Sequence, residues 1–433
     1  MTEIRPFRGL RYDPTKVNPG DVIAPPYDVV GADAVAELHS RSPHNAAHLE
    51  NPAGAERDRY EGAAKLIAQW TKDGALKRDA QPAYYVYEQR AKIPTGSGGT
   101  RTVSRRCFFA RTRLHRPEEG IIRPHEATLT GPREERMKLL QATKTNISPV
   151  FGMFLDPSGD AKRVLAEVAK REPDFEATDA VGDRHRLWVV SATAEVKTLT
   201  AAVEASNVTI ADGHHRTHTA LDYRDLVRDS KKGKWTGQEP ENFVLMGLIP
   251  EDDPGLVILP IHRLIHGDVP ADLLQQLSAL YRVEAVPTAE AAWAQVQANR
   301  MGPFTFGLLG ATGDESAHVL TARSPQAIEN AMPQRISAAS KGLDALVLTE
   351  TVLTPVFGIT REVLTQGKRV TFTESLTEAE EAVDDGDAAL AFLVNATRVE
   401  QVTHVADAGE VMPQKTTYYY PKLATGMVFN PLD

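Results

Sequence analysis

The residues most able to do chemistry are Ala211-Asp-Gly-His-His-Arg216, which follow the β-rich run Val208-Thr-Ile-Ala211 and precede a segment with helical spacing at Ala220, Tyr223, Leu226 and Val227. A strand that turns at Asp212-Gly213 into a helix leaves backbone N–H groups unpaired at the helix start, with the positive end of the helix dipole behind them. Gly213 has no Cβ, so an oxyanion can approach the backbone closely. His214, His215 and Arg216 add side-chain donors in the same turn, and a guanidinium can grip an oxyanion with two nitrogens. The pattern describes an anion site of the kind that holds phosphates. Two plainer or different uses stand beside it. Asp212 could be an ordinary N-cap, and His214 and His218, one helical turn apart, have a zinc-ligand spacing that Asp212 could complete, although no glutamate stands between them.

Two further clusters carry polar chemistry. Arg123-Pro-His-Glu126 sets His125 beside Glu126: either could act as a general base, and the carboxylate could hold Mg²⁺. Arg133 and Arg136 then fall on one helical face with Lys138 nearby, a face suited to an anion or simply to solvent. Thr143 to Ser148 supplies hydroxyl and amide groups just before an apolar strand. Near the end, Met412-Pro-Gln-Lys-Thr-Thr-Tyr offers Lys415, Thr416 and Thr417 as a cation with two hydroxyls, while Tyr418 to Tyr420 also fit a plain strand that alternates in and out. At the start, Pro25-Pro26 stiffens the chain that presents Tyr27 and Asp28.

The elements that must position these residues follow from periodicity. Helices are expected near 57–73, 132–142, 160–171, 194–206, 270–280, 288–299, 343–357 and 375–384. Tyr84–Tyr87 and Val103–Leu114 read as a hairpin joined by a loop with Gly96, Gly98 and Gly99. Strands are expected at Pro149–Leu155, Leu187–Val190, Phe243–Ile249, Leu256–Leu259, Phe304–Leu309 and Ala388–Val394, with a polar segment over Ile121–Gly131. Strands mixed with helices after an early hairpin argue for an α+β, mixed α/β fold rather than a doubly wound sheet. The 433 residues suit two or three domains, and Asp252-Asp-Pro-Gly255 marks the best boundary, giving regions 1–253 and 254–433.

Composition narrows the setting. With 49 Lys+Arg against 58 Asp+Glu the formal charge is −9, which argues against nucleic acid as a general partner. The lone Cys107 rules out an internal disulfide and a four-cysteine zinc site. No apolar run reaches the ~18 residues of a membrane span, and Met1 to Phe7 lacks the apolar core of a secretory signal. A cytoplasmic protein with a small-molecule substrate, no membrane partner and room for a homodimer is expected.

Taken together, Asp21-Val-Ile-Ala-Pro-Pro-Tyr-Asp28, Arg123-Pro-His-Glu126, Asn146-Ile-Ser-Pro149, Ala211-Asp-Gly-His-His-Arg216 and Met412-Pro-Gln-Lys-Thr-Thr-Tyr resemble a large bacterial family known as domain of unknown function ten-fifteen. More narrowly, Asp212 to Arg216 is similar to the phosphate-binding turn of the ParB/sulfiredoxin superfamily, which includes CTP-hydrolysing partition proteins, ATP-using sulfiredoxin and free serine kinases. That resemblance implies a ParB/sulfiredoxin-like core with N- and C-terminal αβ extensions, binding ATP (or another NTP, or ADP) with Mg²⁺. Gly213, His214, His215 and Arg216 match the turn; the chain departs from sulfiredoxin in having no cysteine there. The implied activity is nucleotide-dependent phosphoryl transfer to a small hydroxylated metabolite, free L-serine being the first to try. Glu126 or His125 would accept the hydroxyl proton, Asp212 or Glu126 would hold Mg²⁺, and Asp212 and His215 would join the catalytic set. Gly213, His214, Arg216, Arg123, Arg133, Lys415 and Thr416 would contact the nucleotide. A nucleotide-sensing module of partition type, or a hydrolase with a metal on His214 and His218, are the alternatives.

Overall fold

The computed structural model describes residues 1–94, 99–126, 131–312 and 317–433. Gly96 and Gly98 of the hairpin loop, and part of the polar stretch before Gly131, lie outside the described residues. The fold is mixed α/β. A nine-stranded sheet runs in the order Ile122–Arg123, Val208–Asp212, Val150–Phe154, Phe243–Pro250, Thr100–Arg113, Tyr84–Pro94, Arg184–Val190, Phe175–Thr178, with Ile4–Arg5 also paired to Thr100–Arg113. Phe243–Pro250 lies parallel to Val150–Phe154 and antiparallel to Thr100–Arg113. Purely parallel winding is therefore excluded.

The two faces of this sheet follow the two-residue alternation of its strands. Tyr84, Val86, Phe108 and Ala110 face a core shared with the helices Asp160–Val168 and Thr193–Glu204. Tyr85, Tyr87, Cys107, Phe109 and Phe151 face the other way, and there the C-terminal tail packs through Leu423, Met427 and Phe429. Space between the central strands is tight. A Cβ on Gly152 would lie 2.7 Å from both Met246 Sδ and Val208 Cγ1. Gly152→Ala is expected to cost about 1–3 kcal/mol through overpacking, read as a lower urea midpoint with unchanged slope; an unchanged midpoint would mean that the strands can shift apart.

A second sheet of six antiparallel strands follows: Tyr281–Val286, Ala317–Ala322, Thr305–Leu309, Leu390–Leu393, His262–Ile265 and Val370–Thr373. The chain changes from one sheet to the other between Pro250 and His262. The tail then returns to the first sheet: Ala24 bridges Thr425, Leu10 bridges Phe429, and Asn430–Pro431 pairs with Thr145–Asn146. Most expected elements are present, with changes at their ends. The helix expected near 270–280 is only Leu273–Leu277. The helix expected near 343–357 passes through a π-helical stretch at Thr349–Leu353. Leu226 is exposed rather than on the packed face of its helix. Among the described residues no helix is long and apolar enough to cross a membrane.

Candidate functional site

The strand Val208–Asp212 pairs antiparallel with Val150–Phe154, but the register slips between Ile210 and Asp212, so that Asp212 stands opposite Phe151. The extra residue rotates the strand end. Ile210 points into the helix-covered core, whereas Asp212 turns to the face where the tail lies. Gly213 follows with φ +90°, a left-handed conformation that a side chain resists. A Cβ there would stand 3.0 Å from Arg216 Nε and 3.2 Å from Val150 Cα. The helix His214–Ser230 begins with no side-chain cap, so the N–H groups of its first turn have no partner within the helix.

Asp212 is an ion-pair centre rather than a cap. Its Oδ1 accepts from Lys422 Nζ at 2.5 Å and its Oδ2 from Arg216 Nη2 at 2.6 Å. Burial alone would push this carboxyl up; Lys422 and Arg216 outweigh it and hold the group well below the usual range. Arg216 also donates from Nη1 to the Pro149 carbonyl at 2.5 Å. Its fork thus faces inward, and among the described residues its buried Nε has no partner, nor has His215 Nδ1.

His125 and Glu126 are neighbours with separate surroundings. His125 Nδ1 lies 2.5 Å from the Ile210 carbonyl, which only accepts, so that nitrogen carries the proton. Nε2 then accepts from the Thr417 hydroxyl at 2.8 Å. Burial lowers the imidazole to about 4, and it is neutral with both nitrogens occupied. His214 Nε2 accepts the His125 backbone N–H at 3.4 Å, and the two rings meet edge to face at 4.6 Å. His218 Nδ1 instead donates to the His214 carbonyl at 3.0 Å. These two histidines do not converge, and among the described residues no group of three His, Cys, Asp or Glu is arranged to hold a metal.

Glu126 forms a parallel bridge with Met412, whose N–H donates to the His125 carbonyl at 2.7 Å. The Lys415 N–H reaches Glu126 Oε1 at 3.4 Å. Burial raises the Glu126 carboxyl to about 7; the Asp212 charge adds to the rise, while Lys415 and Lys422 oppose it. The tail therefore supplies one wall of this site.

The sequence matches the family described as protein of unknown function (DUF1015) over residues 4–345. The chain belongs to this family. No curated protein matches it. Among solved structures, a free serine kinase in complex with AMP is 14% identical, with 72% of this chain and 86% of that one covered and a TM-score of 0.34. A mutant of free serine kinase in complex with ADP gives 13%, 72%, 87% and 0.35. A conserved hypothetical protein from Pyrococcus furiosus gives 14%, 72%, 90% and 0.33.

The other residues expected to act are dispersed in this family member. Arg123 donates to the Gly120 carbonyl at 2.9 Å and pairs with Asp407, joining the first sheet to the helix Val399–Asp407. Arg133 pairs with Asp222 at 2.5 Å on the surface. Thr416 is buried and donates to the Pro413 carbonyl at 2.6 Å, so it shapes the tail turn. Lys415 stands at the top of that turn, φ +57°, with its side chain exposed.

Two site residues were missed by sequence reasoning. Lys422 is 210 residues from its partner Asp212, and no local pattern announces such a pair. Arg105 is buried on the sheet, donates to Gln89 Oε1 at 2.7 Å and leaves Nε and Nη1 without partners among the described residues. Its signal was present: Val103, Arg105, Cys107 and Phe109 alternate along one strand, so a cation had to enter the core with them. The presented pair Tyr27-Asp28 also reaches this region. Arg136 covers the Tyr27 ring at 4.1 Å, and burial raises that phenol to about 12 against the pull of Arg216.

Proposed function

We propose that this protein transfers a phosphoryl group from a nucleotide to a small hydroxylated metabolite. One observation carries the reading: the uncapped helix start at Gly213 lies beside two buried polar nitrogens without partners among the described residues, Arg216 Nε and His215 Nδ1. Unsatisfied buried polar groups are costly unless something binds them, and an anion satisfies such a helix terminus. Gly213, His214, His215 and the Arg216 Nε then border the phosphates, while the other two nitrogens of Arg216 hold Pro149 and Asp212. Lys422 and the exposed Lys415 add positive charge around them.

In this scheme Glu126 accepts the proton of the substrate hydroxyl. The freed oxygen attacks the terminal phosphorus as the bond to the bridging oxygen breaks, and the leaving nucleotide carries that oxygen and its electron pair away. Such transfers depend on position and charge neutralisation more than on covalent chemistry. A carboxyl near 7 suits the task at neutral pH. His125 holds the corner together through Ile210 and Thr417 rather than moving protons. Both Asp212 oxygens already face cations, so Asp212 and Glu126 could add at most a ligand each to Mg²⁺ that arrives with the phosphates, as Mg²⁺ commonly does. Bound Mg²⁺ would neutralise charge on the phosphate oxygens.

The test is nucleotide turnover with Mg²⁺ and a panel of hydroxylated metabolites, free L-serine first, with the phosphorylated product identified by mass. Product formation is expected. Nucleotide binding without any product would favour the second reading, a nucleotide-sensing switch. That reading draws on one feature: the tail that contacts Asp212, His125 and Glu126 also meets the second sheet, where Arg263 Nη2 donates to the Lys415 carbonyl at 3.1 Å.

A further inference from the structure

A cavity of about 310 Å³ is bordered by Lys422, whose ammonium meets Asp212. Its walls are apolar and stiff. Pro25 and Pro26 form one side, and Tyr418, Tyr420 and Pro421 of the tail form the other. The two tyrosine rings stand 6.4 Å apart and near-parallel at 21°, so both border the same side of the tail. Its floor is polar: Gln89, Asp183 and His185 line it and are buried. The Gln89 carbonyl accepts from Arg105 and its amide donates to Asp183. The floor therefore places a fixed amide and a carboxyl side by side. At the rim, Val29 and Val181 are 37% and 78% exposed. Exposed apolar side chains that flank a cavity are the ordinary mark of a binding mouth.

The charges give this cavity a direction. Among its charged lining residues, Asp179 and Asp183 act on Tyr420, which disfavours an anion there, Lys422 lies by Tyr418, and Glu37 and Arg41 pair with each other. Lys422 is held over the Tyr418 ring at 4.8 Å while its ammonium meets Asp212. A ligand that fills the cavity and is anionic at one end would direct that end to Lys422 and so to the Gly213 turn. We propose that this cavity holds the nucleoside part of a nucleotide, a flat heterocycle between the proline and tyrosine walls with its polar edge on Gln89 and Asp183. Apolar walls with a few placed polar groups, and a volume near the lower end of ligand sites, suit that class, and aromatic rings stack on any base. The proposal deepens the phosphotransferase reading and rests on it for the phosphate end alone.

The experiment titrates ATP, adenosine and inorganic tripolyphosphate into the full-length protein and two filled variants, Ala34→Trp and Val181→Trp. Ala34 and Val181 both line the cavity and are exposed, so the bulk enters from solvent without disturbing the core; thermal unfolding verifies that each variant is folded. The expected result is adenosine binding to the wild type that is lost in the variants, ATP affinity weakened by about tenfold or more, roughly 1.4 kcal/mol, and tripolyphosphate affinity unchanged. Should ATP bind the folded variants as tightly as it binds the wild type, or no better than tripolyphosphate does, the cavity assignment is wrong while the phosphate corner stands. Adenosine that binds and is excluded by the variants, with tripolyphosphate binding nowhere, would keep the cavity and remove the corner.

Discussion

Asp212→Ala is expected to lower folding stability by about 3 kcal/mol, near the lower end for breaking a buried ion pair because each partner keeps some exposure. The substitution strands two cations at once. Lys422 and Arg216 have side chains 14% and 9% exposed, and each loses its carboxylate. Urea unfolding at pH 7 measures the loss, and Lys422→Met in combination separates the two partners. With Lys422 already gone, removal of Asp212 should cost less than it does alone, since one fewer charge is stranded. The pH dependence has a definite sign. The Asp212 carboxyl is held below its unfolded value, so its contribution is whole above about pH 4 and fades as the pH falls further towards the folded value. The gap between wild type and Asp212→Ala should therefore widen slightly from pH 7 to 5, as protonation of Glu126 relieves its repulsion with Asp212, and shrink only in stronger acid. A loss under about 1 kcal/mol would place this trio with ordinary surface pairs and remove the reason for treating Asp212 as the anchor of the site.

The parts of this arrangement that are local were legible in the sequence. Val150–Phe154, Val208–Asp212 and Phe243–Pro250 announce themselves as apolar runs because each is covered on both faces. The turn at Gly213 is legible for a related reason, since only glycine accepts its backbone angle easily. What could not be read is where the side chains turn. Asp212 looks like an N-cap in one dimension, and a single-residue bulge, invisible to periodicity, aims it at the tail instead. Arg216 looks like a free oxyanion fork, yet the same bulge brings Asp212 to it. His125 and Glu126 read as a cooperating pair because they are adjacent. Adjacent residues of an extended chain point to opposite sides, and here one reaches Ile210 and Thr417 while the other faces the Lys415 turn. Contacts over hundreds of residues, such as Lys422 to Asp212, leave no trace in spacing. The tail cluster could be named from its residue types, but its meeting with the central turn needed the three-dimensional path.

Glu126→Gln separates catalysis from architecture more sharply than any other change. The amide keeps the shape and can still accept the Lys415 N–H, but it cannot take a proton. Loss of a general base typically lowers kcat by about 10²–10⁴-fold, and that loss is expected with nucleotide affinity little altered. In the wild type the rate should fall as the pH drops below about 7, where the carboxyl becomes protonated, and this limb should be absent from the residual rate of the variant. Stability should move in the opposite direction. A carboxyl whose folded pKa lies above its unfolded value binds more protons in the native state, so wild-type stability declines as pH rises from about 4.3, the unfolded value, to about 7, the folded one. Glutamine carries no such penalty. The variant should match the wild type near pH 4 and be the more stable protein at pH 8. A merely structural role for Glu126 would give lower stability together with lower activity. An inactive variant that resists urea better than its parent at pH 8 instead marks a group kept at a site against the preference of the fold, as an active base commonly is.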